Sequence, residues 1–277
     1  MKQRIHRHAL LGLALCVSAQ VHAADPFAIP PFPSDYSALN CAVYEEGRDS
    51  VQAQLDARRE ANQNKVDALS PKMQAEMQVA MQSGNYAAIQ QYSEMGQGQL
   101  SLGESDADCI ALGSSNSSSG TSQALAPSYQ AANAEFKGKI STAAPGDTSA
   151  FQQASPAYLA ALNKAVGDTR ALAQRCNAGY AKRYNAHVSK LKGSMRELIA
   201  AQADPEVTKL QYAEQLWDDA RSLCGRVQPE LAMAATGGQR AYSGRPRAAG
   251  VAGMVDSVKD NAVGKAVDKA FGSLFGR

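Results

Sequence analysis

The sequence predicts an all-α protein, an elongated bundle of helical hairpins around one long central helix, with a flexible Gly/Ser loop in its middle and a C-terminal helix on a linker. Three observations carry that expectation. From about Pro156 to about Ala203, the residues Leu162, Val166, Thr169, Ala173, Cys176, Tyr180, Tyr184, Val188, Leu191, Met195 and Leu198 follow at steps of three or four, which places them on one helix face. Asp204-Pro205-Glu206 then ends that helix and starts another, with aspartate as N-cap, proline at N1 and an acid in the first turn. The new helix has its own stripe, Val207, Leu210, Ala213, Trp217, Ala220, Cys224, Val227 and Leu231, and a short connection between two such stripes makes an antiparallel hairpin. Consecutive steps of four from Cys176 to Val188 act as a stutter, so a gently curved helix is expected in place of a strict coiled coil.

Taken from the start, residues 1–23 read as a secretory signal. Lys2, Arg4 and Arg7 form a positive region, Ala9 to Val17 a short apolar run, and Val21-His22-Ala23 a cleavage site. The run is well short of the ~20 apolar residues that cross a bilayer. Leu13-Ala14-Leu15-Cys16 only faintly resembles a lipidation site, because Leu15 is too large for the position before the modified cysteine. Removing the signal takes three of the 28 basic residues and leaves 25 against 26 acidic ones, a net charge of −1 in place of +2. A generic nucleic-acid role thereby loses its electrostatic support. His6, His8 and His22 leave as well, so His187 is the only histidine from residue 24 onward. Any histidine-based triad or metal site would have to be built around it. Cys16 also departs, leaving Cys41, Cys109, Cys176 and Cys224 at spacings of 68, 67 and 48 residues. An even number in an exported chain reads as two disulfides with three possible pairings, and the absence of any CxxC argues against a zinc finger or a dithiol redox centre.

Residues 24–34 hold Pro26, Pro30, Pro31 and Pro33 with Phe27 and Phe32, an extended arm that is expected to pack its phenylalanines on the body. A disulfide-bonded helical domain spans 35–236. Ser34 or Asp35 is expected to cap a first helix running to about Leu69, with the stripe Cys41, Tyr44, Val51, Leu55, Val66 and Leu69 broken by Arg48 and Asn62. Ser70-Pro71 should restart it. Met73, Met77 and Met81 follow at i, i+4, i+8, a ridge that reads first as core filling or an adaptable contact surface and second as a thioether Cu(I) site. A further short helix should carry Tyr86, Ile89, Tyr92 and Met95.

A loop insertion is expected at about 99–125. Its tract from Gly113 to Ser122 is too polar to bury a core. Glu104, Asp106 and Asp108 alternate like the opening of a calcium loop, but Cys109 stands where the turn glycine belongs and Ser115 where the bidentate glutamate should be. They read as a solvated acidic loop that a disulfide through Cys109 pins to the helices. Pro127 opens a short helix carrying Tyr129, Ala132, Phe136 and Ile140. At the far end, residues 237–247 form a basic flexible linker and 248–277 an amphipathic helix of mild charge, read as docked on the body or a partner before a membrane surface.

No phosphate loop, HExxH or GxSxG occurs. The basic set Arg175, Lys182, Arg183, Lys190, Lys192 and Arg196 spreads around its helix and reads as solvation. The sequence therefore names no catalytic, cofactor-binding or metal residue, and its site residues are the four cysteines. The expectation is an exported helical binding or assembly protein of a bacterial cell envelope, periplasmic or secreted, without cofactor, nucleic acid or catalysis. The bacterial assignment rests on the short signal and the Ala/Gln-rich style. The alternative is a peripheral membrane factor using residues 248–277, and behind it a periplasmic hydrolase with two carboxylates or a Met-based Cu(I) binder.

Overall fold

In a computed structural model the described residues are 25–90, 102–116, 120–142 and 148–235. The expected signal peptide, the linker and the C-terminal helix lie outside them. The fold is elongated and almost entirely helical. Helix α1 is Ala42–Gln82, α2 Ala107–Leu112, α3 Ala126–Ser141, α4 Ser149–Val188, α5 Gly193–Gln202 and α6 Pro205–Ala235. Among the described residues one ladder of two short strands, β1 (Ser115–Asn116) and β2 (Thr121–Ser122), is antiparallel with Ser115 opposite Ser122 and Asn116 opposite Thr121. At 1.5 Å per residue, α1 alone is about 60 Å long.

The expected cap at Asp35 exists, but it closes only a turn of 3-10 helix, Tyr36–Ala38, by accepting from the Ser37 N–H. The first helix starts at Ala42 and runs through Pro71 to Gln82 without the expected restart. Proline removes one backbone bond from a helix interior, and packing of Val66 and the half-buried Leu69 and Met73 on α5 carries α1 across that gap. The central helix begins at Ser149, ahead of the striped stretch, and Phe151 in its first turn is held edge-on by Tyr36 and Phe136 at 5.0 and 6.5 Å between ring centroids.

The central helix departs from its expected bounds at its far end, where it stops at Val188, so the stripe expected to run unbroken to Ala203 is split between two helices. Lys192 is extended and Gly193 has φ +56°, a left-handed geometry that a side chain disfavours. The spacing of three and four persists across the break, since Leu191, Met195 and Leu198 are all buried. They pack, however, against Val66 and Val188 in a separate core.

Helix α6 lies against both α1 and α4 and organises the main core. Its expected stripe is buried from Leu210 to Leu231, with Leu216 and Leu223 added and Val207 half-buried at the edge. Gly47 marks a close approach of α1, for a Cβ there would run into the Trp217 ring. The arm docks at the same place. Trp217 Nε1 donates to the Pro26 carbonyl at 2.8 Å, Asn163 exchanges two hydrogen bonds with the Phe32 backbone at 2.7 and 2.9 Å, and Phe27 and Phe32 are buried. On the other side, Phe136 of α3 stacks on Tyr158 of α4 at 4.6 Å.

Candidate binding surface

The four cysteines pair as Cys41–Cys224 and Cys109–Cys176. The first ties the start of α1 to α6, the second ties α2 to α4. Two such bonds fit an oxidising, extracytoplasmic compartment. The second does what the acidic loop required, and the acids there prove to be committed. Glu104 accepts from the backbone N–H groups of Ser105 and Asp106 and from Arg183 at 2.9 Å. Asp106 caps α2 through the Asp108 N–H, and Asp108 pairs with Arg175 at 3.0 Å. Arg175 and Arg183, expected to be solvated, are therefore cross-braces.

The Gly/Ser tract is not uniform either. Ser122 is buried in β2 and donates from both its N–H (2.6 Å) and its hydroxyl (2.7 Å) to Asp219, with Gly120 at φ +62° making the turn. The end of the tract is thus held by hydrogen bonds from one residue, Ser122, to a single carboxylate. Asp219 is fully buried on α6 and also accepts from Gln215 at 3.2 Å. Desolvation dominates these donors and pushes its carboxyl up to about 6.

The second buried aspartate is Asp204, the expected N-cap, which accepts from the Glu206 N–H. Its other oxygen takes Arg58 and Asn62 of α1, the latter at 2.8 Å. Burial raises its pKa, but those donors outweigh it and the carboxyl is held below the usual range. Asn62, read from sequence as a polar break in a half-buried stripe, is thus a buried latch residue. The two aspartates stand 15 residues apart on one helix, about 22 Å, and every donor around them belongs to the fold. They do not form the close carboxylate pair that glycoside chemistry uses.

His187 sits half-buried in the last turn of α4, its Nε2 enclosed without a partner, and burial and then Lys190 lower its pKa. Among the described residues no group of three or more His, Cys, Asp or Glu side chains could hold a metal ion. Of the methionine ridge, Met73 packs on the distal core while Met81 is exposed. A crevice of about 240 Å³ lies between residues 29–32 of the arm and the turn of α4 from Asn163 to Arg170, and its cation, Arg170, is paired with Asp25 at 2.9 Å.

Large apolar side chains are exposed at Val43, Ile110 and Met233 among the described residues, and the three most exposed lie in and just after the last turn of α1. Val79, Met81 and Tyr86 are 62, 52 and 81% exposed, just beyond the distal core. Residues 86–90 are helical, while Tyr92 and Met95 lie outside the described residues. Sequence reasoning had Tyr86 on a helix and Met81 on a ridge, but Val79 carried no signal, because its exposure follows from α5 covering only the other side of α1. No described helix is long and apolar enough to cross a membrane. No protein-family model, curated protein or solved structure matches the chain.

Proposed function

We propose that this is an exported, non-enzymatic helical binding or assembly protein of the bacterial cell envelope. The observation that supports the reading is the exposed apolar group in and just after the last turn of α1, at the end of that helix away from the Cys41–Cys224 bond. Three large apolar side chains are left in water within eight positions, around the helix end and not as one flat patch, and we read them as what a partner covers. The acids, the arginines of α4 and the buried carboxylates are consumed by bracing, which leaves the tip as the place where the molecule meets something else.

The test is photo-crosslinking in the intact envelope, with the reactive group placed at Met81 or Tyr86 and, as control, at the exposed Lys164. Adducts from the two tip positions and none from Lys164 are the expected result. Recovery of monomer alone from all three positions would overturn the reading.

A further inference from the structure

Charge at the tip points to what it meets. The Ser194 hydroxyl donates to Glu76 at 2.9 Å, which sets the start of α5 beside the last turns of α1. The α4–α5 turn therefore puts Lys190 and Lys192 at the same end of the molecule as Lys72. Over the distal segments 65–90 and 182–197, setting aside Arg183 in its pair with Glu104, the exposed Lys65, Lys72, Lys182, Lys190, Lys192 and Arg196 face only Asp67, Glu76 and Glu197. That is a net +3 in a chain whose total after residue 23 is −1. Among the described residues, this end is therefore locally positive beside the exposed apolar side chains.

We propose that this end docks on the surface of a lipid bilayer rich in anionic headgroups, a proposal that rests on the binding role above and names its partner. The geometry favours a bilayer over a protein groove. At about 100° per residue, Val79 and Met81 lie about 200° apart around α1, on opposite flanks of the buried Ala80. A groove that reads a helix takes one stripe at i, i+3, i+4, and it would leave one of the two in water. A fluid interface entered end-on accepts both, with Tyr86 at the depth where tyrosine is favoured. The lysines then sit at the level of the headgroups, each of them strengthening binding about fivefold. The contact is distinct from residues 248–277, whose charges nearly cancel.

The experiment is co-sedimentation of residues 24–277, both disulfides closed, with vesicles of phosphatidylcholine alone or mixed equally with phosphatidylglycerol. Binding is expected only to the anionic vesicles and should weaken as salt is raised. Lys72→Gln/Lys190→Gln/Lys192→Gln should lower the affinity about a hundredfold, Met81→Gln/Tyr86→Ser should abolish sedimentation, and Val258→Glu/Val267→Glu in the tail should change nothing. All the tip substitutions are at exposed positions, and an unchanged melting temperature checks that they leave the fold intact. Binding that follows the tail variant instead, that is equal on neutral vesicles, or that is absent altogether overturns the lipid proposal. Absent vesicle binding with a protein adduct at Met81 leaves the binding role standing with a protein as partner, whereas absent vesicle binding and no adduct removes both.

Discussion

The main core buries 29 of the described residues, including Cys109, Cys176, Cys224 and the arm phenylalanines, while the distal core buries seven, with no disulfide and no aromatic among them. The difference lies in how each end is stabilised. In the main body much of the ordering is prepaid by topology, since the Cys109–Cys176 loop of 67 residues is nested inside the Cys41–Cys224 loop of 183. The chain-entropy account assigns about 4 kcal/mol to closing the inner loop and about 5 to the outer. The distal end has only local packing and a polar latch. Arg58 and Asn62 hold Asp204 there, and the Tyr180 hydroxyl donates to the Ala203 carbonyl at 2.9 Å. Regions with few buried contacts open first, in units of their own. An end with that property is suited to reshaping on a partner, while the braced end keeps its form.

The most forceful way to break the comparison is to remove the outer disulfide. Cys41→Ala/Cys224→Ala should lower the global unfolding free energy by about 5 kcal/mol, read from urea denaturation. Hydrogen exchange from the α5 amides should hardly change, because those amides are expected to exchange through opening of the distal end alone. Should α5 lose protection in step with α6, the two cores are one cooperative unit and the contrast fails.

Much of this architecture was legible in the residues, and the gaps have a common physical origin. Apolar periodicity found the faces of α4 and α6 and the composition of the core, because burial at steps of three and four is a property of the chain alone. It could not find the break after Val188, since a turn that preserves the spacing leaves the pattern intact. Only Gly193, sitting in an otherwise helical run, marked it. Polar residues were the other blind spot. Asn62 and Ser122 are ordinary surface residues by type, and their burial depends on an aspartate 142 residues away in one case and 97 in the other. The contact surface shows the same limit, for exposure of Val79 depends on where α5 ends its cover.

The two buried aspartates sharpen the contrast through pH, and their signs are opposite. Asp219 belongs to the main body. Its folded pKa of about 6 lies above its ordinary 3.8, so its contribution is fully present below pH 3.8 and is lost as pH rises through 6. Two units correspond to about 3 kcal/mol. Asp204 belongs to the latch. Its folded pKa is lowered, so its contribution is present above pH 3.8 and is lost as pH falls through the depressed value. Between the two windows the protein should be at its most stable, in mild acid. A urea midpoint series across both windows should therefore decline on the alkaline side for the body, and Asp219→Asn should flatten that limb while leaving the acid limb in place. A wild-type midpoint that rises steadily from pH 4 to pH 7 would remove this account of Asp219.

The smallest effect tests the latch itself. Tyr180 is half-buried at the end of α4's contact with the α5–α6 junction, and its hydroxyl bond to Ala203 joins the same corner that Asp204 holds from the α1 side. Tyr180→Phe keeps the ring and deletes the hydroxyl's neutral hydrogen bonds to the Ala203 carbonyl and with Thr208, which should cost about 1 kcal/mol. The size is modest because the freed carbonyl is near enough to the surface to find water. What distinguishes a latch from ordinary packing is where the loss appears. If the corner fastens the distal end to the body, exchange of the α5 amides should quicken about fivefold, the equivalent of that 1 kcal/mol, and the global urea midpoint should scarcely move. An equal loss in α5 and α6 would show instead that Tyr180 serves the body, and that the distal end is fastened by α1 alone.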